Sequence, residues 1–468
     1  MIFEPFTIKN VTFKNRILRS SIGGKTAYYD GTVNPAWTRF EKRFAEQDVA
    51  GIISATITVD DHRWAPLEYP KLSQDRFVKP VRQAVQAVQA RGCKYILQLG
   101  DGGYHTQTSL LPQIEDSKSA SSVFDLVYGY GNRSIAMTTE EIQQTVQNFA
   151  DGARRVREAG CDGVEITASK GYIIHQFLNP ATNRRTDSYG GSVEKRFQFL
   201  REIVQAVRRT VGSDFLFGIR LSAVDFNYLP VNLRWPVVFP LKHYFMGNGL
   251  KETLYYGQEL ARLGVDYLHI SSGFGFINPK ESPGSWPLDE YRLYANATRH
   301  LSAKANLRAI LLNALPAPIL RAIFGLGWGY RPAPNLDYAR AFKETVGLPV
   351  IANGGFQQRQ TIEEALSAAK CDLVSMARPL LANPNLLTLF KQGINEPSKP
   401  CTYCNRCSVA TAVLPLGCYD RSRFSSQEAM EAQILWWSGG PDAAEVEEIV
   451  PGDSGRQGAL AEMAGGSM

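Results

Sequence analysis

What the chain lacks narrows its class before anything else does. No basic segment followed by an apolar core opens it. Met1-Ile2-Phe3-Glu4-Pro5-Phe6 does not read as a signal peptide, and a cytoplasmic location is expected. No apolar run of spanning length is uninterrupted. The most apolar stretch, Ala309 to Tyr330, is broken by Asn313, Pro316, Pro318 and Arg321, so no transmembrane segment is expected. It reads as a packed insertion over an active-site mouth, or as an amphipathic segment touching a membrane or a partner. Basic residues are not gathered into a stripe. The formal charge of +6 is spread over 468 residues, which favours anionic ligands and argues against nucleic acid as a partner. Cysteine is scarce, seven residues in all. Cys93, Cys161 and Cys371 each adjoin a predicted strand, as small buried hydrophobes do.

What is present points to an α/β chain. Hydrophobic residues make up 44%, enough for a large core and too many for a disordered chain. Apolar runs of strand length alternate with amphipathic helical stretches. The runs begin at Ile17, Gly51, Tyr95, Gly163, Phe215, Tyr267, Pro349 and Leu373. Helical periodicity fills Phe77 to Ala90, Glu140 to Ala159, Val193 to Val211, Leu250 to Leu263 and Thr361 to Ala369. About eight such units predict a (β/α)8 TIM barrel with insertions at the C-terminal face. The insertions are Asn227 to Gly249 and Ile277 to Pro334. Three helix-to-strand junctions share one shape, Gly160-Cys161-Asp162, Gly264-Val265-Asp266 and Lys370-Cys371-Asp372, and read as structural. Residues 1–390 are assigned to the barrel, 391–424 to a Cys-rich segment packed on it, and 425–468 to an acidic tail, disordered from roughly Gly439.

The two last predicted strands run into Asn353-Gly354-Gly355 and Met376-Ala377-Arg378. Turns in this order are the standard phosphate site of a barrel. The glycines let backbone N–H groups approach closely, and Arg378 adds a fork of donors.

Longer motifs carry a family resemblance. Phe3-Glu4-Pro5-Phe6 with Lys14-Asn15-Arg16-Ile17, then Gly171-Tyr172-Ile173-Ile174-His175-Gln176-Phe177-Leu178-Asn179-Pro180, and Asn183-Arg184-Arg185-Thr186-Asp187-Ser188-Tyr189-Gly190-Gly191 resemble the old yellow enzyme family over Met1 to Phe424. Within it, the chain resembles the dienoyl-CoA reductase-like branch, and is expected to lack the C-terminal domains of that branch. The resemblance implies FMN in a TIM-like barrel, NAD(P)H as reductant and a small unsaturated substrate. Carried over residue by residue, Ser20, Ser21, Ile22 and Gly23 run under the flavin, with Ser54 and Ala55 beside it. Gln98 faces the pyrimidine edge, and Arg220 stabilises its developing negative charge. A homo-oligomer is compatible with the resemblance.

The catalytic face departs from the family. The His pair that grips a substrate oxygen is replaced by Thr167 and Lys170. Lys170 reads either as a donor to that oxygen or as a solvated rim residue. Tyr172 stands where a proton donor is expected. His175 either faces the flavin or caps a turn. Cys401, Cys404, Cys407 and Cys418 form C-x2-C-x2-C-x10-C, which suits a [4Fe–4S] iron–sulfur cluster or a zinc ion, or leaves free thiols. Two other readings stay open: a Schiff-base aldolase using Lys170, and a non-catalytic flavin electron carrier.

Overall fold

Eight short segments, buried along nearly their whole length, make one closed parallel sheet. They are β1 (Ile17–Arg19), β2 (Gly51–Thr58), β3 (Lys94–Gly100), β4 (Gly163–Ala168), β5 (Leu216–Ser222), β6 (Tyr267–Ser271), β7 (Val350–Asn353) and β8 (Leu373–Met376). Each pairs with the next, and β8 returns to β1 with Val374 opposite Ile17 and Met376 opposite Arg19. The predicted (β/α)8 barrel is therefore the observed fold. Burial on both faces explains why the strands read as continuous apolar runs rather than alternating ones. The computed structural model describes all residues except 63–67, 107–116, 128, 229–231, 233–245, 276–277, 281–282 and 439–468. Most of the expected insertion from Asn227 to Gly249 thus lies outside the described residues.

The three repeated junctions have a common mechanical role. Asp162 accepts the Tyr95 N–H at 2.8 Å, Asp266 that of Phe217 at 2.8 Å, and Asp372 that of Val350 at 2.9 Å. Each carboxylate also pairs with a base: Lys94 at 3.1 Å, Arg208 at 2.9 Å and Lys343 at 2.8 Å respectively. Each Asp thus holds an N–H of the first or second residue of the preceding strand.

An N-terminal hairpin, Phe6–Ile8 against Val11–Phe13, closes the barrel bottom. Its Ile8, Val11 and Phe13 pack with Leu18, Ile53, Ile96 and Tyr267 inside the sheet. A second, larger core lies between the strands and the surrounding helices.

Several helices are absent from the sequence reading, among them Pro35–Glu46 and Leu336–Val346. Pro35–Glu46 buries Glu41 and Arg43 along with Trp37, Phe40 and Phe44, so its inner face does not read as apolar. Glu41 is there because it forms a fully buried ion pair with Arg19 of β1.

The segment assigned to an acidic tail, 425–468, begins with ordered structure. Gln427–Trp437 is a helix opened by the Ser426 side chain, which accepts the Ala429 N–H. Trp437 is fully buried, stacked on Phe44 at 4.5 Å, and donates Nε1–H to the Leu381 carbonyl at 3.1 Å. Its partners come from a helix nearly 400 residues away in sequence, so local composition does not reveal them. Residues 439–468 lie outside the described ones. Trp437→Ala is expected to cost about 3–5 kcal/mol of unfolding free energy, read by chemical denaturation. A loss below about 1 kcal/mol would show that the helix is peripheral.

Candidate functional site

The C-terminal ends of the strands open into a cavity of about 730 Å³. That is within the range of cofactor and substrate pockets. Most of the residues named from sequence meet in its wall: Ser21, Ile22 and Gly23 after β1, Gln98 on β3, Thr167, Lys170 and Tyr172 on and after β4, Arg220 on β5, Asn353 on β7, and Ala377 and Arg378 after β8. Besides Ser54, four residues named for the flavin or the chemistry are not in the wall. Ala55 yields to Thr56, because β2 runs on to Thr58 and slips register between Ile53 and Thr56. Gly354 and Gly355 do have left-handed backbones, with φ of 98° and 72°. A side chain at Gly355 would meet Pro334 and the backbone of Arg331 and Ala333 within 3 Å, so that glycine admits the returning chain. The fourth is His175.

His175 is buried and both ring nitrogens are used. Nδ1 accepts the Gly171 N–H at 3.0 Å, which leaves Nε2–H to donate to Asp225 at 2.8 Å. It caps the turn and does not face the cavity, which corrects its assignment as a catalytic residue. The turn is a strained one, with Lys170 at φ 61° and Gly171 at φ 74°. His175 therefore positions Lys170 and Tyr172 from behind.

The solvated-rim reading of Lys170 is also overturned. The residue is 8% exposed and stands near Arg220 and Arg378. Burial, then the two guanidinium charges, pushes its amine well below the ordinary lysine range. Burial pushes the Tyr172 phenol up to about 12, against a hydrogen bond with Thr56 and the charge of Arg220.

Beneath the cavity lies a polar network that sequence reasoning missed. Glu165, fully buried on β4, accepts from Gln98 Nε2 at 2.6 Å, Tyr267 Oη at 3.1 Å and His269 Nδ1 at 3.1 Å. His269 Nε2 meets Ser375 Oγ at 2.8 Å, and Asn353 donates to Ser375 and Ser20. Burial opposes ionising Glu165, but His269, Arg220 and Gln98 outweigh it and hold the carboxyl below its ordinary range. Burial also lowers His269, so the ring is neutral, with Nδ1–H facing the carboxylate and Nε2 accepting from Ser375. The available signal was an acid or a histidine in the middle of a fully apolar barrel strand.

Gln98 has both amide atoms committed, Nε2 to Glu165 and Oε1 to Thr56. Arg220 is different: its Nε is buried and has no hydrogen-bond partner among the described residues. Other wall residues missed from sequence are Tyr69, His105 and Tyr228. His105 enters after β3 and lies edge-on to Phe274 at 6.1 Å. Arg378 forms a hydrogen bond with Asn405 and lies 5.0 Å over the Tyr403 ring, tying the phosphate turn to the Cys-rich segment.

Cys401, Cys404, Cys407 and Cys418 line one small pocket of about 10 Å³ with Arg378 and Arg423. Cys401 Sγ accepts the Tyr403 N–H at 3.4 Å, and Cys418 Sγ accepts from Arg423 at 3.3 Å. The space is that of a single water or ion. Among the described residues, no three His, Cys, Asp or Glu side chains stand in metal-holding geometry.

A parallel barrel with an arginine and a lysine beside a cavity, and with Asn353, Ala377 and Arg378 lining it after the last two strands, is the arrangement in which barrel enzymes commonly hold phosphate-bearing ligands. The model of the NADH:flavin oxidoreductase / NADH oxidase family matches residues 1–230 and 332–397. The chain belongs to that family, the old yellow enzyme family. It is 28% identical over 409 residues to a metal reductase of Desulforamulus reducens, covering 87% of this chain and 51% of the relative. It is 34% identical over 294 residues to a probable NADH-dependent flavin oxidoreductase of Bacillus subtilis, covering 61% and 72%. The structure of a 2-naphthoyl-CoA reductase superposes with a TM-score of 0.71 at 20% identity, over 93% of this chain and 58% of that one. The chain spans about half the length of the metal reductase.

Glu165→Gln tests the network with a defined pH dependence. A depressed carboxyl stabilises the fold above the unfolded pKa and loses that contribution as pH falls through the folded one. The variant is expected to be less stable by about 1–3 kcal/mol at neutral pH, a gap that starts to close only below about pH 4 and is narrower at about pH 3, as pH falls from the unfolded carboxyl value toward the lower folded one. Urea unfolding at both pH values measures it, and a gap constant with pH would mean a neutral Glu165.

Proposed function

We propose that this chain binds FMN across the barrel mouth and reduces a carbonyl-activated alkene with NADH or NADPH as hydride source. The observation that carries the reading is Arg220, a buried guanidinium with an unpaired Nε at the cavity wall. A fixed cation with an open donor in a dry site suits the edge of a cofactor that becomes anionic on reduction. When bound, FMN supplies the hydride exchange that no side chain can. Ser21, Ile22, Gly23, Gln98 and Arg220 would hold its ring system, and Asn353, Ala377 and Arg378 its phosphate end.

The chain's own chemistry lies in Tyr172 and Lys170. A phenol near 12 stays protonated through neutral pH and yields its proton only to a strong base. The α-carbon of an alkene that has accepted hydride is such a base. Lys170 and Thr167 line the same wall and offer donors to a carbonyl oxygen. Negative charge building on that oxygen raises the lysine's affinity for a proton where it helps most. The lowered amine also suits a nucleophile, so the Schiff-base aldolase reading is kept as a rival. The four cysteines are proposed to hold an iron–sulfur cluster or zinc. Their thiol donors and nearby guanidinium groups suit either, and a cluster requires the side chains to move apart.

Purified protein is expected to show flavin absorption bands bleached by NADH or NADPH and restored by an enone. Tyr172→Phe should keep flavin reduction and slow the alkene step about 100-fold. Colourless protein trapped on Lys170 by borohydride would replace this reading with the aldolase. Flavin reduction without alkene turnover would leave an electron carrier. Metal analysis separates iron from zinc from free thiol.

A further inference from the structure

The insertion after β6 contains three lid helices, Leu288–Thr298, Ala303–Ala314 and Ala317–Phe324. They fall in the stretch 231–331, which the family model leaves unmatched. The second is inverted relative to an ordinary surface helix. It buries Lys304 and Arg308 and exposes Leu307, Ile310 and Leu311. Arg308 turns inward to the carbonyls of Val127 and Gly129 at 3.3 and 3.2 Å and over the Tyr294 ring at 5.1 Å. In water this arrangement is costly on both faces, and it is favoured only where the outer face meets something apolar.

The patch is extensive. Ten of the sixteen large hydrophobics exposed among the described residues fall between Leu293 and Tyr330. No single described helix is long and apolar enough to cross a membrane. The second and third lid helices pass the hydropathy test only as a pair, bent by 114°. The segment from Tyr291 to Leu336 has no Asp or Glu, while Arg299, Arg321 and Arg331 are exposed around the patch. Leu311, Leu315, Ile323 and Phe324 are exposed and also line the cavity. The apolar surface and the cavity wall are thus continuous.

We propose that the lid docks on an anionic lipid surface, and that the cavity takes an apolar, carbonyl-activated alkene from the bilayer. The aliphatic face would enter the acyl boundary, and the exposed arginines of the rim, of which Arg321 lies 4.0 Å from Asp289, would meet lipid headgroups. An apolar substrate could then pass through the lid without crossing water. The substrate half rests on the proposed alkene reduction; the docking half does not.

Two measurements separate them. Holoprotein is mixed with sedimenting vesicles of phosphatidylcholine alone, or of phosphatidylcholine with phosphatidylglycerol. Binding is expected to favour the anionic vesicles by about tenfold and to weaken with salt. The double variant Ile310→Asp with Ile319→Asp, both exposed and outside the cavity wall, is expected to lose about tenfold or more of that binding. It should turn over a water-soluble enone like the wild type but fall behind on a long-chain enone held in vesicles. No binding of the wild type to anionic vesicles overturns the docking. A dimer in solution that this variant converts to monomer also overturns it, and assigns the face to a second copy. Vesicle binding with no turnover of either enone leaves the docking standing and removes the substrate half along with the proposed activity. Turnover of the long-chain enone equal in variant and wild type removes the substrate half alone.

Discussion

An ionised carboxylate at the centre of a closed barrel governs much of this structure. Glu165 sits where the eight strands converge and has no access to water. Its charge is tolerable only because Gln98, Tyr267 and His269 donate to it and Arg220 faces it. Those contacts propagate through Ser375 to Asn353 and Ser20, and through Gln98 to Thr56. Every barrel strand, or the residue just beyond it, contributes to this connected set. The residues that face the cavity are thereby fixed from below by a network with little freedom to rearrange.

Above that floor, burial sets the chemistry. It lowers the Lys170 amine and raises the Tyr172 phenol, so both groups favour their neutral forms beside a cationic Arg220. The turn that presents them is left-handed at two successive residues and is held by His175 through Asp225. Asp225 is in turn fixed by donors from Asn179 and Asn248. The altered pair, Thr167 and Lys170, thus stands on the same kind of rigid support that the rest of the wall enjoys. The lid is a different matter. Its second helix turns Lys304 and Arg308 in and Leu307, Ile310 and Leu311 out, so its stability in place depends on what covers it.

The strand series, the phosphate turns and the helix-to-strand junctions were legible because each is local. An apolar run of five residues, an Asn-Gly-Gly turn and a Gly-x-Asp junction have their cause within a few residues. The helix Pro35–Glu46 was not legible because its buried face carries Glu41, whose partner Arg19 lies on a strand. The helix ending at Trp437 was hidden in an acidic segment because Phe40, Phe44 and Leu381 come from elsewhere in the chain. His175 could not be assigned between cofactor and turn, because the choice depends on Asp225, fifty residues on.

The sequence by itself determined the barrel, the position of the turns after its last two strands and most of the cavity wall. These follow from periodicity and from glycine and arginine placed at strand ends, and from a long family signature. Only the tertiary structure decided that Glu165 and His269 form a buried pair, that Lys170 is enclosed, that Gly355 admits the chain rather than lining the cavity, and that the lid is inverted. Each of these depends on which distant residue lies opposite. Burial and charge pairing are properties of neighbours in space, and a single sequence lists neighbours only along the chain.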